Sequence, residues 1–96
     1  MRPSQALNLH REEIRKIVNM NRARNARVFG SVLYASDAEG SDLDVLVEPL
    51  PGATLFDMGA IQIALQERLG VAVQVLTPGD LPTTFRDQVL KEATPV

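Results

Sequence analysis

Cysteine and tryptophan are absent from this 96-residue sequence, and histidine occurs once, as His10. Without thiols there is no disulfide, no cysteine zinc site and no thiol nucleophile, and one histidine excludes a two-histidine metal centre. Any metal must be held by oxygen. Aromatic residues are only 4% of the chain, and 10 Lys+Arg against 12 Asp+Glu leave a net charge of −2. A dedicated nucleic-acid binder, with its basic stripe and stacking platforms, is not expected from that balance. No apolar run approaches the roughly 18–20 residues of a membrane span. Met1-Arg2-Pro3-Ser4 also lacks the apolar stretch of a signal peptide, so a cytoplasmic protein without membrane partners is expected. What is present, 45% hydrophobic and 23% charged residues, suits one globular domain over residues 1–96 with a modest core. Chemistry, if any, falls to carboxylates, hydroxyls and backbone.

After a polar arm over 1–8, Leu9, Ile14, Ile17 and Val18 recur at helical spacing and predict a helix over about 9–20, with Asn8 as its N-cap. His10 then falls on an exposed first turn. Residues 21–25 read as a polar connection, and Ala26-Arg27-Val28-Phe29 as a short strand ending at Gly30-Ser31. Val32 to Ala35 suit a single helical turn before the polar loop 36–40. Alternation over Asp42–Val47 predicts a strand with Leu43, Val45 and Val47 on one face and Asp42, Asp44 and Leu46 on the other. Pro49 and Pro51 assign 48–52 to a connection. Thr54, with Asp57 three residues on, caps a helix carrying Leu55, Met58, Ile61, Leu65 and Leu69 and closed by Gly70; Phe56 and Met58 read as packing residues. Residues 71–76 alternate as a third strand, Thr77–Asp80 turn, and Leu81, Phe85 and Val89 suggest a last helix capped by Thr83 or Thr84.

The resulting order is α-β-β-α-β-α, an α/β (α+β) fold with a small mixed three-stranded sheet backed by helices. The ten residues Val32–Ser41 are short for a parallel crossover, so strands one and two should be antiparallel, while the helix after strand two suits a parallel return. Antiparallel pairing sets Gly30-Ser31 beside Asp42-x-Asp44. Two carboxylates two apart on a strand point the same way and can chelate a hard divalent cation such as Mg²⁺. A Gly-Ser turn offers backbone amides and a hydroxyl to phosphate oxygens. Separately, Asp-x-Asp is most often a solvated strand edge and Gly-Ser an ordinary turn. Together they point to two-metal phosphoryl transfer with a nucleoside triphosphate.

Arg27-Val28-Phe29-Gly30-Ser31, ten residues, then Asp42-Leu43-Asp44-Val45-Leu46-Val47 resembles the minimal nucleotidyltransferase family of the polymerase-β-like superfamily. The similarity continues through Leu50–Asp57 and Val89-Leu90-Lys91-Glu92-Ala93. It implies a nucleotidyltransferase fold in which Gly30 and Ser31, with Ser41, bind the nucleotide and Asp42 and Asp44 are catalytic and bind Mg²⁺, two ions in all, with ATP as substrate. It also implies an antitoxin role beside an all-helical HEPN toxin, silenced in some pairs by transfer of AMP to a tyrosine.

Two positions depart from the family pattern. Gln74 stands where members usually carry a third carboxylate; its amide oxygen is a weaker candidate ligand for Mg²⁺, and reduced turnover follows. Glu48 is no substitute, since four strand residues from Asp44 span roughly 13 Å. Tyr34-Ala35 replaces an Arg-Gly pair, and Arg22, Arg24 and Arg27 read as a solvated basic stretch. Tyr34 could stack on a base or accept a modification, against the plainer reading of a half-buried tyrosine. Two functions compete: an adenylyl-transferring antitoxin, and a catalytically degenerate antitoxin that neutralises its partner by binding. Self-association is open to either.

Overall fold

The computed structural model describes residues 1–34 and 36–96, so the expected helical turn over Val32–Ala35 ends on a residue outside the described ones. Elements follow in the order α1 (Pro3–Leu9), α2 (Arg11–Asn19), β1 (Ala23–Phe29), a 3-10 helix (Gly30–Val32), β2 (Leu43–Pro49), α3 (Leu55–Leu69), β3 (Val73–Leu76), a 3-10 helix (Pro78–Asp80), α4 (Arg86–Glu92) and β4 (Thr94–Pro95). The sheet has four strands in the order β3-β2-β1-β4. β1 runs antiparallel to β2, and β2 parallel to β3, as the connection lengths require. The fourth strand corrects the three-stranded expectation: Thr94 and Pro95 pair with Val28 and Arg27 along the free side of β1. Among the described residues no helix is long and apolar enough to cross a membrane.

Leu43, Val45 and Val47 on one face of β2 are fully buried and meet Ile14 and Val18 of α2 and Ile61, Leu65 and Leu69 of α3 in the main core. Leu46 on the opposite face is buried too, as is Leu81. α3 forms where its ends are specified. The Thr54 side chain accepts from the Asp57 amide, Asp57 accepts from the Thr54 amide, and Gly70 closes the helix at φ +70°, which glycine adopts without a Cβ clash. On the outer side of β3, the amides of Val73 and Val75 donate to the side-chain oxygens of Gln66 and Gln62, each at 3.1 Å.

Several boundaries move. The helix expected over 9–20 is α2, which starts only at Arg11 because His10, at φ −126° and ψ 25°, is not helical and leaves Leu9 to α1. The arm over 1–8 is largely α1, started by Pro3 in the first turn where its missing N–H costs nothing. Asn8 therefore caps nothing, and its oxygen accepts from Arg11 at 3.0 Å. β1 begins three residues early, bulged between Arg24 and Arg27 with Asn25 at φ +53°. β2 runs through Glu48 to Pro49, which a proline permits at a strand end. β3 begins only at Val73. α4 begins at Arg86, with Phe85 and neither threonine at its N-cap. Leu55 and Phe56 do not pack inward; they are 85% and 89% exposed. Met58 does lie against the core.

Candidate functional site

The register of β1 on β2 sets Phe29 opposite Asp44, so the chain leaving β1 turns at Gly30 directly over that carboxylate. Gly30 has φ +78°, and a Cβ built there would lie 2.4 Å from Oδ2 of Asp44. No side chain fits at this turn while Asp44 keeps its place. The Gly30–Val32 helix begins here, and the first amides of a helix have no partner within it. Ser31 anchors the following loop: its carbonyl accepts from the Ser36 amide at 2.9 Å and the Ser36 hydroxyl at 3.3 Å.

The return path to β2 is held at two points. Asp37, buried, accepts from the Ser4 amide at the start of α1 at 2.9 Å, and this bond holds its carboxyl below the ordinary range. Ser41 closes a turn with Ala38, its amide donating to the Ala38 carbonyl and its hydroxyl accepting from the Ala38 amide, both at 3.0 Å. Asp42 follows at once, exposed and just outside β2, while Asp44 is partly covered. Burial raises the Asp44 pKa, and the charge of Asp42 raises it further. Neither carboxylate has an ion-pair partner among the described residues.

Parallel pairing sets Gln74 opposite Asp44, so the sheet brings Phe29, Asp44 and Gln74 into one row, with Gly30 just past the end of β1 over Asp44. Gln74 is exposed on that face. Among the described residues no cluster of three or more His, Asp or Glu side chains is grouped as a metal cage. The donor set is thus two carboxylates and an amide oxygen beside a glycine turn. It fits a hard cation that brings further oxygen ligands with it. Arg24 and Arg27 are turned to Glu48 at the other end of the strands, and the Arg22 side chain reaches the Gly52 carbonyl.

A second feature borders this row. Phe29, Gly30, Leu33 and Tyr34 form one wall of a cleft of about 300 Å³, and Phe85, Gln88, Val89 and Glu92 form the other. Tyr34 is 60% exposed rather than half-buried, and its hydroxyl donates to Glu92, which raises its pKa. Tyr34 and Glu92 are 58 residues apart, so no local motif marks the pair. His10 lies at the α1–α2 junction, 3.4 Å from Glu13.

No family model matches the chain. It is 33% identical over 90 residues to a Methanocaldococcus jannaschii protein whose name proposes a protein adenylyltransferase, covering 94% of this chain and 97% of that one. A solved structure described as a proposed minimal nucleotidyltransferase superposes with a TM-score of 0.86 at 38% identity, over 97% of this chain and 95% of the other. A toxin–antitoxin crystal structure with AMP-PNP shares the fold at a TM-score of 0.73 and 19% identity, over 88% of this chain and 69% of that one.

Proposed function

The chain belongs to the minimal nucleotidyltransferase family, and from that premise we propose that it transfers AMP from ATP to a tyrosine hydroxyl of a HEPN-type toxin, acting as its antitoxin. The observation that carries this reading is the approach of Gly30 to Asp44, a turn that excludes any side chain laid over a carboxylate with no ion-pair partner among the described residues. Asp42 and Asp44 would hold Mg²⁺, which would offset their mutual repulsion and supply activation of the acceptor hydroxyl and charge neutralisation for the departing pyrophosphate. Gly30 lets the triphosphate approach the backbone, and the Ser31 hydroxyl and the amides of the turn meet its oxygens. Ser41 shapes the loop that delivers Asp42. The AMP-PNP in the structure of a protein sharing this fold supports a nucleotide as the ligand. The toxin–antitoxin pairing of that protein supports a protein acceptor.

Gln74 favours a second reading, a binding antitoxin with a degenerate centre, because it stands where a further carboxylate would complete the ligand set opposite Asp44. Intact-mass spectrometry of any helical protein encoded beside this chain, co-expressed with it or with its Asp42→Asn, Asp44→Asn variant, separates the two. One added adenylyl mass, lost with the variant, is the expected result. Co-purification at unmodified mass with both forms, ATP and Mg²⁺ being present, would establish the binding reading.

A further inference from the structure

The sequence holds three phenylalanines and one tyrosine, and three of these four rings, Phe29, Tyr34 and Phe85, line the cleft beside Gly30. In a chain so poor in aromatics that convergence is not accounted for by the core, since Tyr34 and Phe85 are 60% and 45% exposed and none of the three belongs to the main cluster. Two rings left in water across a gap are a platform for a flat, weakly hydrated partner. The rim is polar: Glu92 accepts from the Tyr34 hydroxyl and, at 3.3 Å, from the Gln88 amide. Gln88 keeps its amide oxygen and a second N–H for another partner.

We propose that this cleft is a nucleobase slot, in which a purine bearing an exocyclic amine stacks between Tyr34 and Phe85 with its polar edge on Gln88 and Glu92. The inference rests on the nucleotidyltransferase reading, which puts the phosphates at Gly30 and so leaves the base to occupy the space that Gly30 also borders. The carboxylate rim accepts from an amine and repels the carbonyl of a uracil, while an amide can pair with the acceptor and donor of an adenine edge. Two further clefts lie away from Gly30, one between α1 and β4 and the other beside Arg15 and Val96.

Since the chain has one tyrosine, tyrosine-selective ¹³C labelling yields ring signals from Tyr34 alone. With Mg²⁺ present, ATP should shift those signals and inorganic tripolyphosphate should not, and ATP should bind more tightly than UTP. Phe85→Ala should weaken ATP binding about tenfold and leave tripolyphosphate binding unchanged. Gln88→Leu, at an exposed helix position, should narrow the preference for ATP over UTP without touching the fold. ATP binding that leaves Tyr34 unmoved, or that matches UTP and is indifferent to both substitutions, would overturn the slot while the phosphate site stands. If none of the three compounds binds the folded chain, slot and nucleotidyltransferase reading fall together.

Discussion

Asp44 and Glu48 share a strand and a face, four residues apart on β2, yet the chain treats their charges in opposite ways. Glu48 accepts from Asn25 at 2.9 Å and Arg24 at 3.2 Å, with Arg27 at 3.8 Å, and these partners lower its pKa. Asp44 has no cation beside it among the described residues; burial and Asp42 raise its pKa. One end of the β1–β2 pair is thus electrostatically complete. The other leaves its carboxylates without a cation among the described residues. Two carboxylates held together beside a glycine turn without a cation are what the proposed metal site requires, whereas Glu48 belongs to a structural ion-pair cluster.

The sharpest way to break this contrast is Asp44→Asn. Transfer should fall roughly 100-fold or more, since an ion's transition-state stabilisation is worth several kcal/mol, while the thermal midpoint holds or rises because a desolvated charge is gone. Loss of transfer together with stability would mean that Asp44 is structural. Gly30→Ala should lower both: an L-residue in the left-handed region costs about 1–2 kcal/mol, and the new Cβ displaces the Asp44 carboxylate, as urea denaturation and the mass assay would report. Gln74→Asp sharpens the contrast by adding a third negative charge opposite Asp44. Its transfer with Mg²⁺ should increase, and its stability in chelator should drop by up to about 1 kcal/mol.

Acid titration separates the two ends by sign. The folded pKa of Asp44 lies above its ordinary 3.8, so the folded chain binds the extra proton and this contribution to stability declines as pH rises from 3.8 through the raised value. The folded pKa of Glu48 lies below its ordinary 4.5, so its contribution is present above 4.5 and is lost as pH falls through the lowered value. Stability curves of Asp44→Asn and Glu48→Gln against the parent should diverge in these opposite directions. The smallest effect is expected for Glu48→Gln near neutral pH, with transfer unchanged and stability within about 1 kcal/mol, because Glu48 and Arg24 face solvent.

The parts written in local chemistry were legible from sequence. Thr54, Asp57 and Gly70 bound α3 because capping is decided within four residues, and strand parity sorted Leu43, Val45 and Val47 from Asp44 because side chains alternate. The approach of Gly30 to Asp44 followed from loop length, though the bar to a Cβ at Gly30 is set by the exact seat of the Asp44 carboxylate, which no local pattern encodes. What escaped was tertiary. β4 has two residues and exists only because β1 offers an edge. β1 starts early through the left-handed Arg22 and Asn25, which no pattern announces. The helix break at His10 hides inside a continuous apolar period, and the aromatic cleft joins residues from opposite halves of the chain.

The glutamines on α3 bear on how the protein behaves when crowded. An outer strand normally offers a row of vacant amides on which a neighbouring molecule can polymerise. Here Gln62 and Gln66 occupy those of Val75 and Val73, and at the opposite margin Pro95 has no N–H to offer. Fibre growth by sheet extension is thereby obstructed from both sides. The Val73 and Val75 amides, although marginal in the sheet, should exchange slowly with deuterium, and replacing the two glutamines with alanine should release that protection and shorten the lag before aggregation.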